Sequence, residues 1–356
     1  MSHFCLLIDP KHYVAHDWDL LKDDAARAYW LDHYASQFLE TLKHASTQYG
    51  RTAGKQVMTA RAQFAAAIEQ LKANPASLPS GKLDIIQLCR LREQVLRAHR
   101  LNDPFLNIKK RENAACAAIY PQVVRKLHTL DGVDKWLHLV ECVFAGNIFD
   151  LGSSSTMHMS AEPIDFLAMV EEIKPRPWLI DDFDRLAQDL PNQPPMKWSK
   201  AVVMVDNAGS DFVLGVMPLV REMAMYGMKV VLAANELPSL NDITADETAD
   251  MVERLAADDP DLAAMVSAGM FEVVSTGNDI PLIDLSNVSD ELNEAAADAE
   301  LLILVGMGRA VESNLNAAFK VDTLNLALLK DAATARRVGG EVFDCICKYT
   351  PAAAQA

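Results

Sequence analysis

Oxygen-bearing side chains follow two apolar strand candidates, at the point where each strand should end. The candidates cover residues 201–205 and 229–234, and each is followed at once by polar residues. These are Asp206, Asn207 and Asp211 after the first strand, and Glu236 and Asp242 after the second. Because the carboxyl ends of parallel strands meet at one edge of a sheet, we expect these side chains to lie close together.

A group of neighbouring carboxylates repels itself unless a cation compensates its charge. The last histidine is His158, so a metal bound in the second half of the chain would need oxygen ligands, which favours Mg²⁺ or Mn²⁺ over Zn²⁺ or Cu²⁺. Plain turns are the alternative, because Asn and Asp are common turn residues. That alternative explains Asn241-Asp242 well, but it explains Asp206-Asn207 less well because this pair directly ends an apolar strand.

Two further strand candidates cover residues 271–274 and 301–305. A glycine-containing loop, Gly306-Met307-Gly308-Arg309, follows the last of these four candidates and precedes a predicted helix over 310–319. It lacks the third glycine of a dinucleotide fingerprint, and the Walker A pattern is absent from the chain. Backbone N–H groups at such a loop, together with an arginine, suit a phosphate group. We therefore expect Gly306, Gly308 and Arg309 to bind phosphate.

Short apolar strand candidates alternate with helical segments after residue 200, whereas the earlier part of the chain has helical periodicity. This alternation predicts a mostly parallel sheet with helices on both faces. Five prolines between residues 175 and 195 predict a connector. The expected division is a helical N-terminal region (1–174), a Pro-rich connector (175–199) and an α/β domain (200–356). The last strand is expected over 341–348.

The composition excludes several classes of function. The formal net charge of −16 and the pI near 5.0 argue against a nucleic-acid partner, which would require a basic face. Apolar runs fall short of the roughly 20 residues of a membrane span, so no membrane partner is expected. The N-terminus lacks a secretory signal, and the six cysteines suggest free thiols, so the expected location is the cytoplasm.

Taken together, these motifs resemble the metal-dependent damage-control phosphatase family, also called domain of unknown function 89. The resemblance runs from about residue 80 to residue 350, and it is greatest to the branch with stand-alone plant proteins and a phosphatase domain fused to a vertebrate pantothenate kinase. The segments that carry it are 103–113, 145–150, 205–211, 233–244, 306–314 and 339–349.

The resemblance implies a helical N-terminal region followed by a three-layer α/β/α, Rossmann-like domain. It also implies hydrolysis of phosphate monoesters with Mn²⁺, Co²⁺, Ni²⁺ or Mg²⁺. In this family the metal ligands correspond to Asp206, Asn207 and Asp242, and a tail lysine, here Lys348, contacts phosphate. Substrates of this branch are thought to include 4′-phosphopantetheine and its oxidised derivatives, so the expected partner is a small phosphorylated metabolite.

We assign roles to the remaining candidates on this basis. Either Asp206 or a metal-bound water is the nucleophile, and Asp211 and Glu236 orient the water or complete the metal shell. Asn147 and Asp150 would close the pocket from the helical region, although they also fit an ordinary helix C-terminal turn. Val305 and Leu151 depart from the residues typical of this branch, and we expect these two positions to alter the pocket.

Three functions remain open at this point. The first is a phosphatase of small phosphorylated metabolites, and the second is a sugar-phosphate phosphatase or a transferase that uses the same sheet edge. The third is a non-enzymatic module that binds a phosphorylated metabolite. The sequence leaves the oligomeric state open, a homodimer included.

Overall fold

A computed structural model describes residues 2–148 and 165–352. The strands in this part of the chain are β1 Ile180–Asp181, β2 Lys200–Met204, β3 Lys229–Ala234, β4 Phe271–Ser275, β5 Leu301–Val305, β6 Asp322–Leu328 and β7 Cys345–Thr350. They form one sheet in the order β1-β7-β6-β5-β2-β3-β4. All neighbouring strands are parallel except β6 and β7, which are antiparallel.

The helices fall into an N-terminal group and a group that alternates with the strands. The first group is α1 Asp24–Tyr49, α2 Gly54–Ala73, α3 Ile85–Ala98, α4 Leu106–Leu127 and α5 Gly132–Ile148. The second is α6 Phe166–Glu171, α7 Phe183–Leu186, α8 Met217–Met225, α9 Ala245–Asp258, α10 Pro260–Ser267, α11 Asp290–Ala296 and α12 Ala332–Arg337. Short π-helical segments cover Asp211–Val216 and Met307–Glu312, and a 3₁₀ turn covers Arg51–Ala53. The predicted α/β fold class, with a helical N-terminal region and a mostly parallel sheet, is confirmed.

The sheet is buried on both faces. On β2, Val203 joins an apolar cluster with residues of α4, α5 and α8, whereas Val202 joins a cluster with α11 and the N-terminal residues Phe4 and Leu7. Successive side chains of a strand point to opposite faces, so these two clusters form the outer contacts of a three-layer arrangement. Central strands covered on both faces leave only the strand ends available for polar chemistry.

Helices α1, α2 and α3 form an apolar cluster of their own, which includes stacked rings of Phe38 and Phe64. Ile280, Leu282 and Ala333 of the α/β part also belong to this cluster. All three lie in segments that follow the carboxyl ends of strands β4 and β6. The N-terminal helices therefore pack beside the edge of the sheet where the predicted site residues lie.

Two local predictions near the C-terminus are wrong. The helix predicted over 310–319 is a π-helical segment, Met307–Glu312, followed by turns, and the strand predicted over 341–348 begins at Cys345. Strand β6 was not predicted at all, because its three leucines and one alanine lack the β-branched and aromatic enrichment that identifies a strand. Its burial between β5 and β7 overrides this weak local preference.

The segment predicted as a connector contains some regular structure. Strand β1 lies within it and pairs with β7 at one edge of the sheet, and α7 follows directly. The connector thus contributes to the α/β layer structure and also links the two regions. Across the described residues, no helix is both long enough and apolar enough to cross a bilayer.

Candidate active site

Two loops meet at the carboxyl ends of β2 and β3. Asn207 and Asp242 form an isolated antiparallel bridge. The Ala208 amide donates to the Asn241 carbonyl at 2.9 Å, and the Ile243 amide donates to the Asp206 carbonyl at 3.0 Å. These backbone bonds hold the Asp206-Asn207 pair against Asp242, although the two lie far apart in sequence.

The second loop is fixed from both sides. A capping box formed by Thr244 and Glu247 begins α9 two residues after Asp242. Lys109 of α4, which is fully buried, forms ion pairs with Glu247 and Asp103 and also donates to the Asp242 carbonyl. These contacts restrict the backbone at Asp242 and so limit the positions that its carboxylate can take.

The Arg309 guanidinium lies between the two acidic side chains. Its Nη1 donates to Asp206 Oδ1, and its Nη2 donates to Asp242 Oδ2 at 3.0 Å and to Asn235 Oδ1 at 3.2 Å. Asn235 also donates to the same Asp242 oxygen at 2.9 Å. The carboxylates of Asp206 and Asp242 are therefore close enough to share one cationic group.

A third carboxylate, Asp211, lies behind this pair. Asn147 Nδ2 donates to Asp211 Oδ2 at 2.6 Å, and Asn207 Nδ2 donates to the same oxygen at 3.1 Å. Burial raises the pKa of Asp211, an effect that the nearby charge of Lys330 and the two amide donors oppose. Asn147 thus reaches the predicted site from the end of α5.

The donor set fits a hard divalent cation. Asp206, Asn207 and Asp242 offer only oxygen ligands, as Mg²⁺ and Mn²⁺ prefer. Asn147 Oδ1 and Asp211 Oδ1 are buried and have no hydrogen-bond partner within the described residues, which suits an additional polar occupant. No group of three His, Cys, Asp or Glu side chains in the described part of the chain forms a metal site by itself, so an ion here would depend on amide oxygens.

The glycine loop approaches these carboxylates closely. Gly306 has φ +89°, and a Cβ at this position would overlap the Asp206 carboxylate. A Cβ at Gly308 would come 3.0 Å from the Pro281 carbonyl oxygen. A side chain at position 306 would therefore displace Asp206. Glycine suits this position for two reasons: its φ is positive, and the Asp206 carboxylate leaves no room for a Cβ.

A cavity of about 310 Å³ opens above this sheet edge. Asp206, Asn207, Asp242 and Gly308 line it, and so does Lys330, which lies two residues beyond β6 and is buried. Lys330 was not among the residues predicted from the sequence, because strand β6 was not predicted. Recognising that strand would have identified this lysine as one more polar residue at the carboxyl edge.

Several predicted residues lie elsewhere. Lys348 sits in mid-strand opposite Asn325, and its ammonium donates to the Leu315 carbonyl. Because β7 is antiparallel to β6, this position is not at the carboxyl edge, and Lys348 does not line the cavity. Glu236 is exposed, because the inward position after β3 is taken by Asn235.

Two further predictions concern individual residues of the pocket. Arg309 does not line the cavity, since its guanidinium is occupied by Asp206 and Asp242. Asp150, which was expected to close the pocket, lies outside the described residues, as does Leu151.

Comparison with known proteins defines the class. The profile of the damage-control phosphatase ARMT1-like domain matches residues 29–346, and the chain belongs to this family. A crystal structure of a DUF89 family protein from Pyrococcus horikoshii has the same fold, with a TM-score of 0.63 at 20% identity, covering 89% of this chain and 96% of that one.

Individual relatives are more similar in sequence. Damage-control phosphatase At2g17340 from Arabidopsis thaliana is 42% identical over 81% of this chain and 77% of its own length. The mouse protein named 4′-phosphopantetheine phosphatase is 30% identical over 97% of this chain, and Arabidopsis pantothenate kinase 2 is 36% identical over 98%. This chain spans only 48% and 42% of the length of those two proteins.

Proposed function

We propose that this protein is a metal-dependent phosphatase that hydrolyses phosphate monoesters of small metabolites, with 4′-phosphopantetheine or its oxidised derivatives as the first substrates to test. Membership of the damage-control phosphatase family and the names of its relatives confirm the predicted class, a phosphatase of small phosphorylated metabolites. Metal dependence, the identity of the metal and the exact substrate are the parts that we propose.

The observation that carries the proposal is the pairing of Asp206 and Asp242 across two bridged loops at the edge of a cavity. Asp206, Asn207 and Asp242 would hold one divalent ion, Mn²⁺, Co²⁺, Ni²⁺ or Mg²⁺. When bound, such an ion would supply positive charge that polarises phosphoryl oxygens. Arg309 already neutralises part of the carboxylate charge and keeps both side chains in place.

Lys330 is the phosphate-binding cation of this proposal, in the role that the resemblance implied for Lys348. It lines the same cavity as Asp206 and Asp242, and its charge acts on Asp211. A fixed ammonium at this position would stabilise the negative charge that develops on the phosphoryl oxygens. The backbone around Gly308 faces the same cavity and would add contacts to phosphate.

Asp211 is the proposed acceptor for the attacking water. Its Oδ2 is fixed by Asn147 and Asn207, whereas its Oδ1 has no partner among the described residues. This open carboxylate oxygen would accept the proton of that water. Asp206 could instead attack phosphorus directly, and both routes use the same arrangement of side chains.

The proposed location is the cytoplasm. The six cysteines are all free thiols, and five of them are buried. A reducing compartment would preserve this state.

Phosphate release from a panel of monoesters, 4′-phosphopantetheine included, tests the proposal. Activity should be lost after chelation and return with Mn²⁺, Co²⁺, Ni²⁺ or Mg²⁺. Asp206→Asn and Asp242→Asn should each lower kcat/KM by at least about 100-fold. The matched control is Asp250→Asn, which changes an exposed acid on α9.

Three results would contradict parts of this proposal. Full activity after chelation would contradict the proposed metal dependence. Turnover only with a second acceptor substrate would favour a transferase. Thermal stabilisation by a phosphorylated metabolite without phosphate release would favour a binding module.

A further inference from the structure

The cavity extends from the sheet edge to helix α1. One face of α1 lines its far end with residues at helical spacing, and we call this surface the α1 wall: Tyr29, Trp30, His33, Tyr34 and Gln37. Glu312, which ends the second π-helical segment, lines the same end of the cavity. One continuous space thus joins the proposed phosphate site to a largely aromatic surface.

We propose that the α1 wall and Glu312 form the subsite for the alcohol portion of the substrate, and that they select an uncharged chain over one that carries a second anion. This inference rests on the proposed phosphatase function and adds which residues choose among phosphate monoesters. The alcohol portion would lie along the aromatic rings, while its phosphate would lie near Asp206 and Lys330.

The charges at the far end support this selection. Glu312 and Asp331 both line the cavity, and Asp331 is fixed there because it caps α12 and accepts a hydrogen bond from the Tyr29 hydroxyl. Burial lowers the pKa of the His33 imidazole, so this ring is neutral near pH 7. The charge of Lys330 also acts on Glu312, but the proposed function assigns this lysine to the substrate phosphate. A second anion at this end would therefore meet the two acids and a neutral ring.

Arg92 is a further cation in the cavity lining, and its donors are already engaged. Its guanidinium bonds Glu93, Gln37 and Ser239, and all of it is buried. Its charge is matched by Glu93, with which it forms an ion pair at 2.8 Å. A second phosphate or carboxylate would have to break this pair, which would leave Glu93 as a buried and uncompensated charge.

The wall also offers a neutral hydrogen-bond donor. The Trp30 indole N–H is buried and has no acceptor among the described residues, although Trp30 lines the cavity. A buried donor without a partner is costly, and a carbonyl oxygen of the bound chain would satisfy it. The subsite therefore suits a chain with apolar surface and at least one amide or similar acceptor.

Two isosteric substrates test the inference. Alkyl phosphates of one length that end in a primary amide or in a carboxylate have nearly the same shape and differ in charge. At a pH of about 8, where Glu312 is ionised, we expect the wild-type protein to hydrolyse the amide with at least about tenfold higher kcat/KM. The matching methyl-ended phosphate measures the contribution of the aromatic rings alone.

Variants then locate the effect. Glu312→Gln should reduce the preference for the amide to about threefold or less by improving the carboxylate substrate. Trp30→Phe keeps an aromatic ring without the N–H, and it should lower kcat/KM for the amide several-fold more than for the methyl-ended substrate. Glu294→Gln, an exposed acid on α11, is the control for Glu312→Gln.

Equal kcat/KM values for the amide and carboxylate in the wild-type protein would overturn the inference and leave the phosphatase proposal intact. A preference that neither Glu312→Gln nor Trp30→Phe alters would equally overturn it, because selection would then reside elsewhere. Failure to release phosphate from any monoester, 4′-phosphopantetheine included, would overturn the proposed function on which the inference rests.

Discussion

Two parts of the cavity are built in different ways. One is the floor, by which we mean the edge of the sheet that carries Asp206 and Asp242, and the other is the α1 wall. The floor places Asp206 and Asp242 on loops that directly follow buried strands and are joined by backbone hydrogen bonds. The α1 wall presents side chains from one face of a single helix, which packs on the α/β part through an apolar cluster. A floor fixed by the sheet suits chemistry that must remain constant, whereas a helix face can change residue by residue and so alter the choice of substrate.

The largest expected effect comes from removing the cation that joins the two floor carboxylates. Arg309→Met would leave Asp206 and Asp242 buried without their guanidinium partner, and we expect a loss of about 3–5 kcal/mol in the free energy of unfolding. Denaturant unfolding measures this loss. The exposed Arg254 of α9 provides the control, since Arg254→Met should change stability by less than about 0.5 kcal/mol.

An equal effect of the two arginine variants would mean that the floor is not held by charge pairing. The contrast between a fixed floor and an adaptable wall would then lose its physical basis.

The next effect distinguishes the two candidate phosphate lysines. Lys330→Met should lower kcat/KM by about 100- to 1000-fold, because a fixed charge in the cavity is lost. Lys348→Met should change kcat/KM by less than about threefold, since the Lys348 ammonium bonds the Leu315 carbonyl and lies outside the cavity lining. Steady-state kinetics on one monoester compares the two variants directly, and the reverse order of effects would restore the assignment made from sequence.

A smaller effect tests the close approach of backbone to carboxylate. Gly306→Ala combines a strained φ with overlap on Asp206, whereas Gly227→Ala has φ +93° and open space around its Cβ. Both variants should lose about 1–3 kcal/mol of stability from backbone strain. Only the first should also lose catalytic activity, because only there does the new methyl group push against the Asp206 carboxylate. Equal kcat/KM values for Gly306→Ala and Gly227→Ala would argue against a contact between the new methyl group and the Asp206 carboxylate.

The last effect concerns the wall and appears as a dependence of stability on pH. Burial raises the pKa of Glu312 from 4.5 to about 7. Between those values the folded protein retains a proton that the unfolded chain has lost, so stability should fall as the pH rises from about 4.5 to about 7. Relative to Glu312→Gln, the wild-type protein should lose about 2–3 kcal/mol over this range. Parallel stability curves for the two proteins would show that Glu312 titrates as it does in water.

The sequence was most informative where a polar residue directly ends an apolar strand. Asp206 and Asp242 could be placed at one edge because parallel strands deliver their carboxyl ends together, and the structure brings them to a common guanidinium. Asn147 could be named only through the resemblance, since a buried amide at a helix end has no sequence signature of its own.

The misplaced residues have a common origin in strand assignment. Strand β6 has the composition of a helix, so the sequence did not reveal Lys330 at its end or the antiparallel direction of β7. That direction places Lys348 in mid-sheet. Glu236 was placed in the site wrongly because a shift of one position along an extended chain reverses the direction of the side chain. Asn235 takes the inward position.

The α1 wall was beyond sequence reasoning for a different reason. Its residues have the spacing of any amphipathic helix, and such a pattern does not reveal which part of the chain the helix faces. The long-range contacts that set it beside the sheet edge, such as the bond from the Tyr29 hydroxyl to Asp331, depend on the tertiary fold.

Direct measurement of Mn²⁺ binding gives the clearest test of the central claim that the side chains of Asp206, Asn207 and Asp242 form one cation site. Isothermal titration of the chelator-treated wild-type protein should show one Mn²⁺ bound per chain, with a dissociation constant that weakens at least about 100-fold in Asp206→Asn and in Asp242→Asn. Unchanged Mn²⁺ affinity in both variants, each still folded, would contradict the account.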